Sequence, residues 1–290
     1  MAKKSKGKPS GYESYFATAS KRAAMKLAKA VSPFTIEVRF LGGLNQKQKD
    51  AFTKAADRWA KVIVGDLPSV MVDGEVIDDL LILAEGSAID GPGNILGQAG
   101  PTRLRPKSAG KSAYLPAKGQ MQFDTADLAE MQADGTLNDV ITHEMGHVLG
   151  IGTIWSHKGL LKGAGGSNPT FRGKAAMKEY GALKGGAPAA VPVENRGGQG
   201  TADSHWRETL FDAELMTGYV AKPPNPLSRM TIGSLKDLGY VVDMSAAEAY
   251  TLPSHIQLAE KGLLVTHAAP IDRGVVLPHI PIVLPEDSLQ

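Results

Sequence analysis

Between Thr136 and Gly150 the chain spells His143-Glu144-Met145-Gly146-His147 inside a stretch that reads as one helix, opened by Thr136-Leu-Asn-Asp139 and stopped at Gly150, with Gly152 just beyond. Helix positions four apart lie one above the other, so His143 and His147 present two imidazoles on one face, one turn apart. Two neutral nitrogens so placed can grip one metal ion. Glu144 adjoins the first of them but projects differently, where its carboxylate can take a proton from metal-activated water instead of binding the metal. The fold has to deliver a third ligand to this helix, because a catalytic zinc usually has three protein ligands and an open fourth position.

The compact spacing HExxHxxGxxH would place that ligand at Thr153, which cannot serve as the third histidine. The chain has no cysteine, which excludes thiolate ligands, disulfides and a cysteine nucleophile. The remaining histidines are His157, His205, His255, His267 and, near the end of the chain, His279; Glu179, Glu194 and Asp203 are carboxylate alternatives. His157 is nearest but would require the chain to double back directly after Gly150. His205 is better placed. It closes a glycine-rich stretch from Gly163 to Gly200, within Asp203-Ser-His-Trp-Arg-Glu208, and precedes Glu214-Leu-Met-Thr-Gly218, a tight turn whose methionine can form a soft, polarizable floor beneath a metal.

Taken together, His143-Glu-Met-Gly-His-Val-Leu-Gly150, Ser204-His-Trp-Arg-Glu208 and Glu214-Leu-Met-Thr-Gly218 resemble the leishmanolysin group of metzincins, particularly its bacterial relatives. In that group an inserted region displaces the third histidine, here by 205 − 147 = 58 residues. The likeness runs from about Ile89 to Leu238 and includes Ile89-Asp-Gly-Pro-Gly, Gly97-Gln-Ala-Gly-Pro101, Met121-Gln-Phe-Asp124 and Leu227-Ser-Arg-Met. The resemblance implies a zinc-dependent endopeptidase acting on proteins or peptides. One catalytic Zn2+ would be held by His143, His147 and His205, with Glu144 as general base and acid and Met216 in the methionine turn. Tyr219, just after that turn, is a candidate hydrogen-bond donor to the oxyanion. The implied fold is α+β and metzincin-like: a twisted, mostly parallel sheet with an antiparallel edge strand, two long helices above it, and a smaller irregular C-terminal subdomain below the cleft.

Periodicity along the rest of the chain predicts an α/β mixture. Phe34, Ile36, Val38 and Phe40 alternate as in a half-buried strand. Asn45 and Gln48 can cap a helix whose stripe is Ala51, Phe52, Ala55, Trp59, Val62 and Ile63, which makes Trp59 a core residue. A buried strand at Asp79 to Ala84, a strand near Leu104, a short helix at Lys174 to Leu183 and a last helix at Met230 to Leu238 complete the reading. Gln120, Met121, Gln122 and Phe123 alternate as well, and the segment Gln120 to Asp124 reads either as an edge strand that could pair with an extended substrate or as an ordinary core-covering strand.

Residues 1–32 are expected as a basic tail with a short helix near Ser20 to Ala30, since Lys3 to Lys29 contains eight basic residues against the single acid Glu13. Residues 33–250 form the catalytic domain, with an upper subdomain at 33–150 and a lower one at 151–250, and residues 251–290 an extended tail. A net charge of +2 gives no whole-chain case for nucleic acid, and no run is long and apolar enough for a transmembrane segment. The basic N-terminus lacks the apolar run of a classical signal peptide, so a soluble protein is expected, with a non-classical export route left open. Compartment and oligomeric state are not legible. Two competing readings are a catalytically silent metal-binding or adhesion domain, against which Glu144 argues, and a nucleic-acid binder acting through the basic tail.

Overall fold

The computed structural model describes residues 11–91, 93, 97–198, 200–219, 221, 223–261 and 280–290. In chain order the elements are β1 (Glu13–Thr18), α1 (Lys21–Ala23, continued by a wider helical turn to Ala28), β2 (Thr35–Gly42), α2 (Gln46–Val62), β3 (Val70–Val72), β4 (Glu75–Ile77), β5 (Leu80–Ser87), β6 (Gly97–Leu104) and β7 (Pro116–Asp124). There follow α3 (Thr125–Asp134), α4 (Leu137–Val148), β8 (Leu161–Lys162), β9 (Thr170–Phe171), α5 (Lys174–Leu183), β10 (Val191–Pro192), α6 (Glu208–Phe211), α7 (Arg229–Leu238), α8 (His255–Glu260) and β11 (Ile282–Val283).

The main sheet has the order β1-β2-β5-β7-β6-β11. Its centre, β2-β5-β7, is parallel; β1 and β6 run antiparallel to their inner neighbours, and β11 runs parallel to β6. The result is a mixed α/β fold with a mostly parallel central sheet. β2 alternates buried and half-buried residues, whereas most of β5 is buried, as a central parallel strand covered on both faces should be.

α2 and α4 pack against each other and onto this sheet. α2 begins where the sequence puts its cap: Asn45 accepts from the Gln48 amide at 3.0 Å and Gln48 returns the bond to the Asn45 amide at 2.9 Å. Trp59 is fully buried, and its indole donates to the Thr142 carbonyl at 2.9 Å, pinning α2 to α4 one residue before His143.

Three expectations are corrected. The segment Gln120 to Asp124 is interior, because β7 pairs with β5 on one side and β6 on the other, so its backbone groups are not free for a substrate. Met121 and Phe123 are buried as the alternation predicts; alternation, however, reports which face a side chain takes and not whether an edge is open. Among the described residues, Gly97–Pro101 of β6 pair only with β7, so the open antiparallel edge beside α4 belongs to β6. Secondly, the basic segment is not a tail from Glu13 onward. β1 pairs with β2 throughout, Ala17 is buried, and the Tyr15 hydroxyl donates to Asp57 on α2 at 2.9 Å. Thirdly, the last residues are not simply extended: α8 forms at 255–260, and β11 adds to the far end of β6 while Leu284 enters a small apolar cluster with Val70, Ile77 and Leu81. Residues 1–10 and 262–279 of the two expected tails lie outside the described residues.

Just after β6, Arg105 is fully buried and makes no salt bridge among the described residues. Its guanidinium donates instead to four carbonyls, of Pro68 (2.9 Å), Pro116 (2.6 Å), Asp78 (2.9 Å) and Asp79 (2.6 Å). Asp66, Asp78 and Asp79 gather beside it, where any negative charge they carry favours the guanidinium, although burial pushes Asp79 up to about 8. Asp79 is already occupied by the amides of Leu67 (2.7 Å) and Thr35 (2.8 Å). Hydrogen bonds to a charged group contribute about 1.5–3 kcal/mol each, and four carbonyls would be orphaned together. Arg105→Met should therefore cost at least about 3 kcal/mol. Urea unfolding checks this: the midpoint should fall with an unchanged slope.

Candidate metal centre

α4 is buried without a break from Val140 to Val148, which is why its sequence carries apolar residues on nearly every side of the histidine pair. It ends at Gly150, whose φ of +107° lets the chain turn away from the helix axis. Thr153, which occupies the compact third-ligand position, donates its hydroxyl to the His147 carbonyl at 2.8 Å and so serves the helix end. Gly152 is where the distant segment lands, since a Cβ there would collide with the Ser204 carbonyl. The close approach needs glycine and sets His205 against α4.

An aromatic cluster holds that segment. Trp206 stacks on Trp155 at 4.7 Å between ring centroids, edges onto Phe171 and Phe211, and donates its indole to Thr231 on α7 at 2.8 Å. The Trp206 amide bonds the Met216 carbonyl at 2.9 Å, which aligns the His205 segment beside the 214–218 turn. Met216 passes under α4 at Gly146; a Cβ on that glycine would lie 2.8 Å from the Met216 sulfur and 3.1 Å from the Trp59 ring.

The three imidazoles converge. Their Nε2 atoms lie 3.0 Å (His143 to His147), 3.1 Å (His143 to His205) and 2.8 Å (His147 to His205) apart. Each Nδ1 faces a carbonyl: Leu215 at 2.6 Å from His143, Ile151 at 2.8 Å from His147 and Thr201 at 2.9 Å from His205. A carbonyl oxygen can only accept, so each Nδ1 carries the proton and each Nε2 presents a bare lone pair. Burial, and then the neighbouring imidazole, holds all three rings far below the usual histidine range, at about 3, so they stay neutral. Three lone pairs aimed at one point repel unless a cation stands between them. At zinc–nitrogen bonds of about 2.0–2.1 Å, tetrahedral nitrogens are about 3.3 Å apart, a few tenths of an ångström wider than here. The donor set fits a metal ion of the zinc type.

Beside the ligands, Glu144 is buried with Oε1 4.0 Å from His143 Nε2, and its Oε2 has no hydrogen-bond partner among the described residues. Burial pushes this carboxyl well above the usual range. A buried carboxylate oxygen without a donor is costly unless something else in the site meets it, which here points to water or substrate.

The other candidates stand apart. His157 is exposed, 6.4 Å from the Tyr114 ring. Glu179 pairs with Arg229 at 2.7 Å, Glu194 accepts the amides of Asn195 (2.8 Å), Arg196 (3.0 Å) and Glu208 (2.8 Å), and Asp203 accepts the Gly165 amide at 2.7 Å. The His255 side chain, His267 and His279 lie outside the described residues. Tyr219 follows the 214–218 turn, with its hydroxyl beside Gly197 and its amide donating to Glu208 at 3.3 Å. The signals that sequence reading passed over are the carbonyls behind the imidazoles, the Trp155–Trp206 stack and the contact of Gly152 with Ser204. Of these, only the Gly150-x-Gly152 spacing was visible in the sequence.

A buried HExxH helix completed by a histidine from a remote loop is the metal-site arrangement of a class of zinc metallopeptidases. The model of the leishmanolysin peptidase family matches residues 110–258, just over half of the chain, and the chain belongs to that family. The matched range contains all three histidines, Glu144 and Met216. A search of curated proteins returned no match.

His205→Ala should purify with substoichiometric zinc, and His157→Ala with a full complement, as metal analysis will show. Gly146→Ala opposes a gain in helix propensity of about 1 kcal/mol to an overpacking cost of about 1–3 kcal/mol against Met216 and Trp59. Its expected outcome is lower thermal stability together with weaker zinc retention.

Proposed function

We propose that this chain is a metzincin-type zinc endopeptidase, with His143, His147 and His205 as ligands and Glu144 as general base and acid. The observation that carries the reading is the unpartnered, buried Glu144 oxygen beside three converging neutral imidazoles. A site that only stored or displayed a metal would have no use for that carboxylate, which disfavours the silent binding or adhesion domain. When bound, zinc supplies a Lewis acid that polarises the scissile carbonyl and acidifies water.

Glu144 then receives the water's proton and returns it to the leaving amine. The open edge of β6, Gly97 to Pro101, takes the substrate-pairing role expected of Gln120 to Phe123. Main-chain pairing along an edge holds an extended peptide on both sides of the scissile bond, which is why cleavage is expected within a chain. Met216 serves as the methionine turn under the ligands, and Tyr219 as the donor to the oxyanion. The division into an upper subdomain ending at the helix turn of Gly150 and a lower one bearing His205 follows from the same reading. Substrates are proteins or peptides; among the described residues no helix is long and apolar enough to cross a membrane.

Glu144→Ala should keep its fold and its zinc while losing about two orders of magnitude or more in casein hydrolysis, the range expected on removal of general-base assistance. A zinc-replete variant that still cleaves casein at the wild-type rate would defeat the mechanism.

A further inference from the structure

Glu214 is a fully buried carboxylate that the reaction above does not use. It is 1% exposed and takes four donors. Its Oε1 accepts the Ser228 amide (3.1 Å), the Ser228 hydroxyl (2.6 Å) and the Thr231 hydroxyl; its Oε2 accepts the Met216 amide at 2.7 Å. The hydroxyl directions follow from their other partners. Trp206 donates its indole N–H to the Thr231 oxygen at 2.8 Å, and the Thr231 amide donates to the Ser228 oxygen at 3.2 Å. Each hydroxyl has one proton; that of Thr231 is directed at Glu214, and that of Ser228 favours Glu214 at 2.6 Å over the Thr231 oxygen at 3.4 Å. Ser228 is also the N-cap of α7, where the helix dipole favours an anion. Burial pushes the Glu214 carboxyl up, and these donors pull it only part of the way back.

The Met216 amide and the Leu215 carbonyl are the two ends of one planar peptide unit. At its N–H end stands Glu214; at its carbonyl end His143 Nδ1–H donates at 2.6 Å. We infer that Glu214 is a positioning residue for the metal centre, acting through the Leu215–Met216 peptide on His143. The buried charge polarises that peptide, and its carbonyl then locks His143 in the Nδ1–H form and makes Nε2 a stronger donor to the ion. Metal-bound histidines commonly hand their second N–H directly to a carboxylate, and loss of such a partner costs about 10–100-fold in metal affinity. Here a peptide bond stands between the two, and hydrogen bonds in series strengthen one another. His147 and His205 lack the device: among the described contacts, the peptides carrying Ile151 O and Thr201 O do not have their N–H bonded to a carboxylate, and the latter's N–H, of Ala202, meets the neutral Gly198 carbonyl.

The inference rests on His143, His147 and His205 being the ligands. It is tested on the full-length protein by chelator competition for zinc in wild type, Glu214→Gln, Ser228→Ala and His143→Ala, and by the imidazole N–H proton resonances of the zinc-loaded forms. Glu214→Gln keeps the shape but turns one acceptor into a donor, and should lower zinc affinity by about 10–100-fold. It should also move the His143 Nδ1–H resonance upfield while leaving those of His147 and His205 in place. Ser228→Ala removes a donor on the opposite side of Glu214, so it should reduce thermal stability but leave zinc affinity near wild type. Unchanged affinity in Glu214→Gln, or an equal loss in Ser228→Ala, overturns the relay while zinc loss in His143→Ala upholds the ligand assignment. Wild type that binds no zinc overturns both. Should Glu214→Gln fail to fold, the wild-type spectrum decides: His143 Nδ1–H has to be the furthest downfield of the three, and any other order overturns the inference.

Discussion

Three unprotonated imidazole nitrogens facing one another at 2.8–3.1 Å repel, and the architecture around α4 exists to keep them there. Flexible side chains would turn away. They do not, because each ring is pinned from behind by a carbonyl from a different part of the chain: the turn before Met216, the residue just after α4, and the loop before His205. Those carbonyls are in turn fixed by packing that reaches α2 through Trp59 and α7 through Trp206. The site is therefore preorganised, with the cost of assembling the ligands met by folding and not by the ion.

The same fold buries several full charges, and it treats them alike. Arg105 is met by four backbone carbonyls, Glu214 by two amides and two hydroxyls, and Asp124 by the amides of Ile89, Asp90, Gly91 and Ala126. None is met by a single opposite charge. A buried ion pair can slide or swap partners, whereas a charge gripped by several backbone groups ties separate loops into one geometry. Arg105 joins the loops around residues 68, 78 and 116; Glu214 joins the Met216 turn to α7.

What was legible in the sequence was local. The HExxH pair, the Asn45 cap, the α5 boundaries and the core role of Trp59 follow from spacing within a turn or two, and the structure has them at those positions. The third histidine came from a choice among distant residues, and the contact that selects His205, glycine 152 against Ser204, is invisible to any local rule. Alternation found β7 but not its neighbours, since an interior strand and an edge strand can show the same period. β1 was hidden because a count of lysines and arginines outweighed the short alternation around Tyr15 and Ala17. β11 is two residues long and pairs across about 180 positions, too short to leave a pattern. Glu214 was visible as a residue, but its donors arrive from α7, fourteen positions later.

The 58 positions from His147 to His205 also separate the two halves of the site in time. A ribosome adds about 5–20 residues per second, so the HExxH helix exists for several seconds before the third imidazole has been made, and longer before Ser228 and α7 can brace the turn at Met216. During that interval a nascent chain offers only two nitrogens, an incomplete hold for zinc. A three-imidazole hold on the ion is thereby deferred until most of the family-matched stretch, 110–258, has been synthesised, and the order in which the residues are written sets the earliest moment at which the site can close.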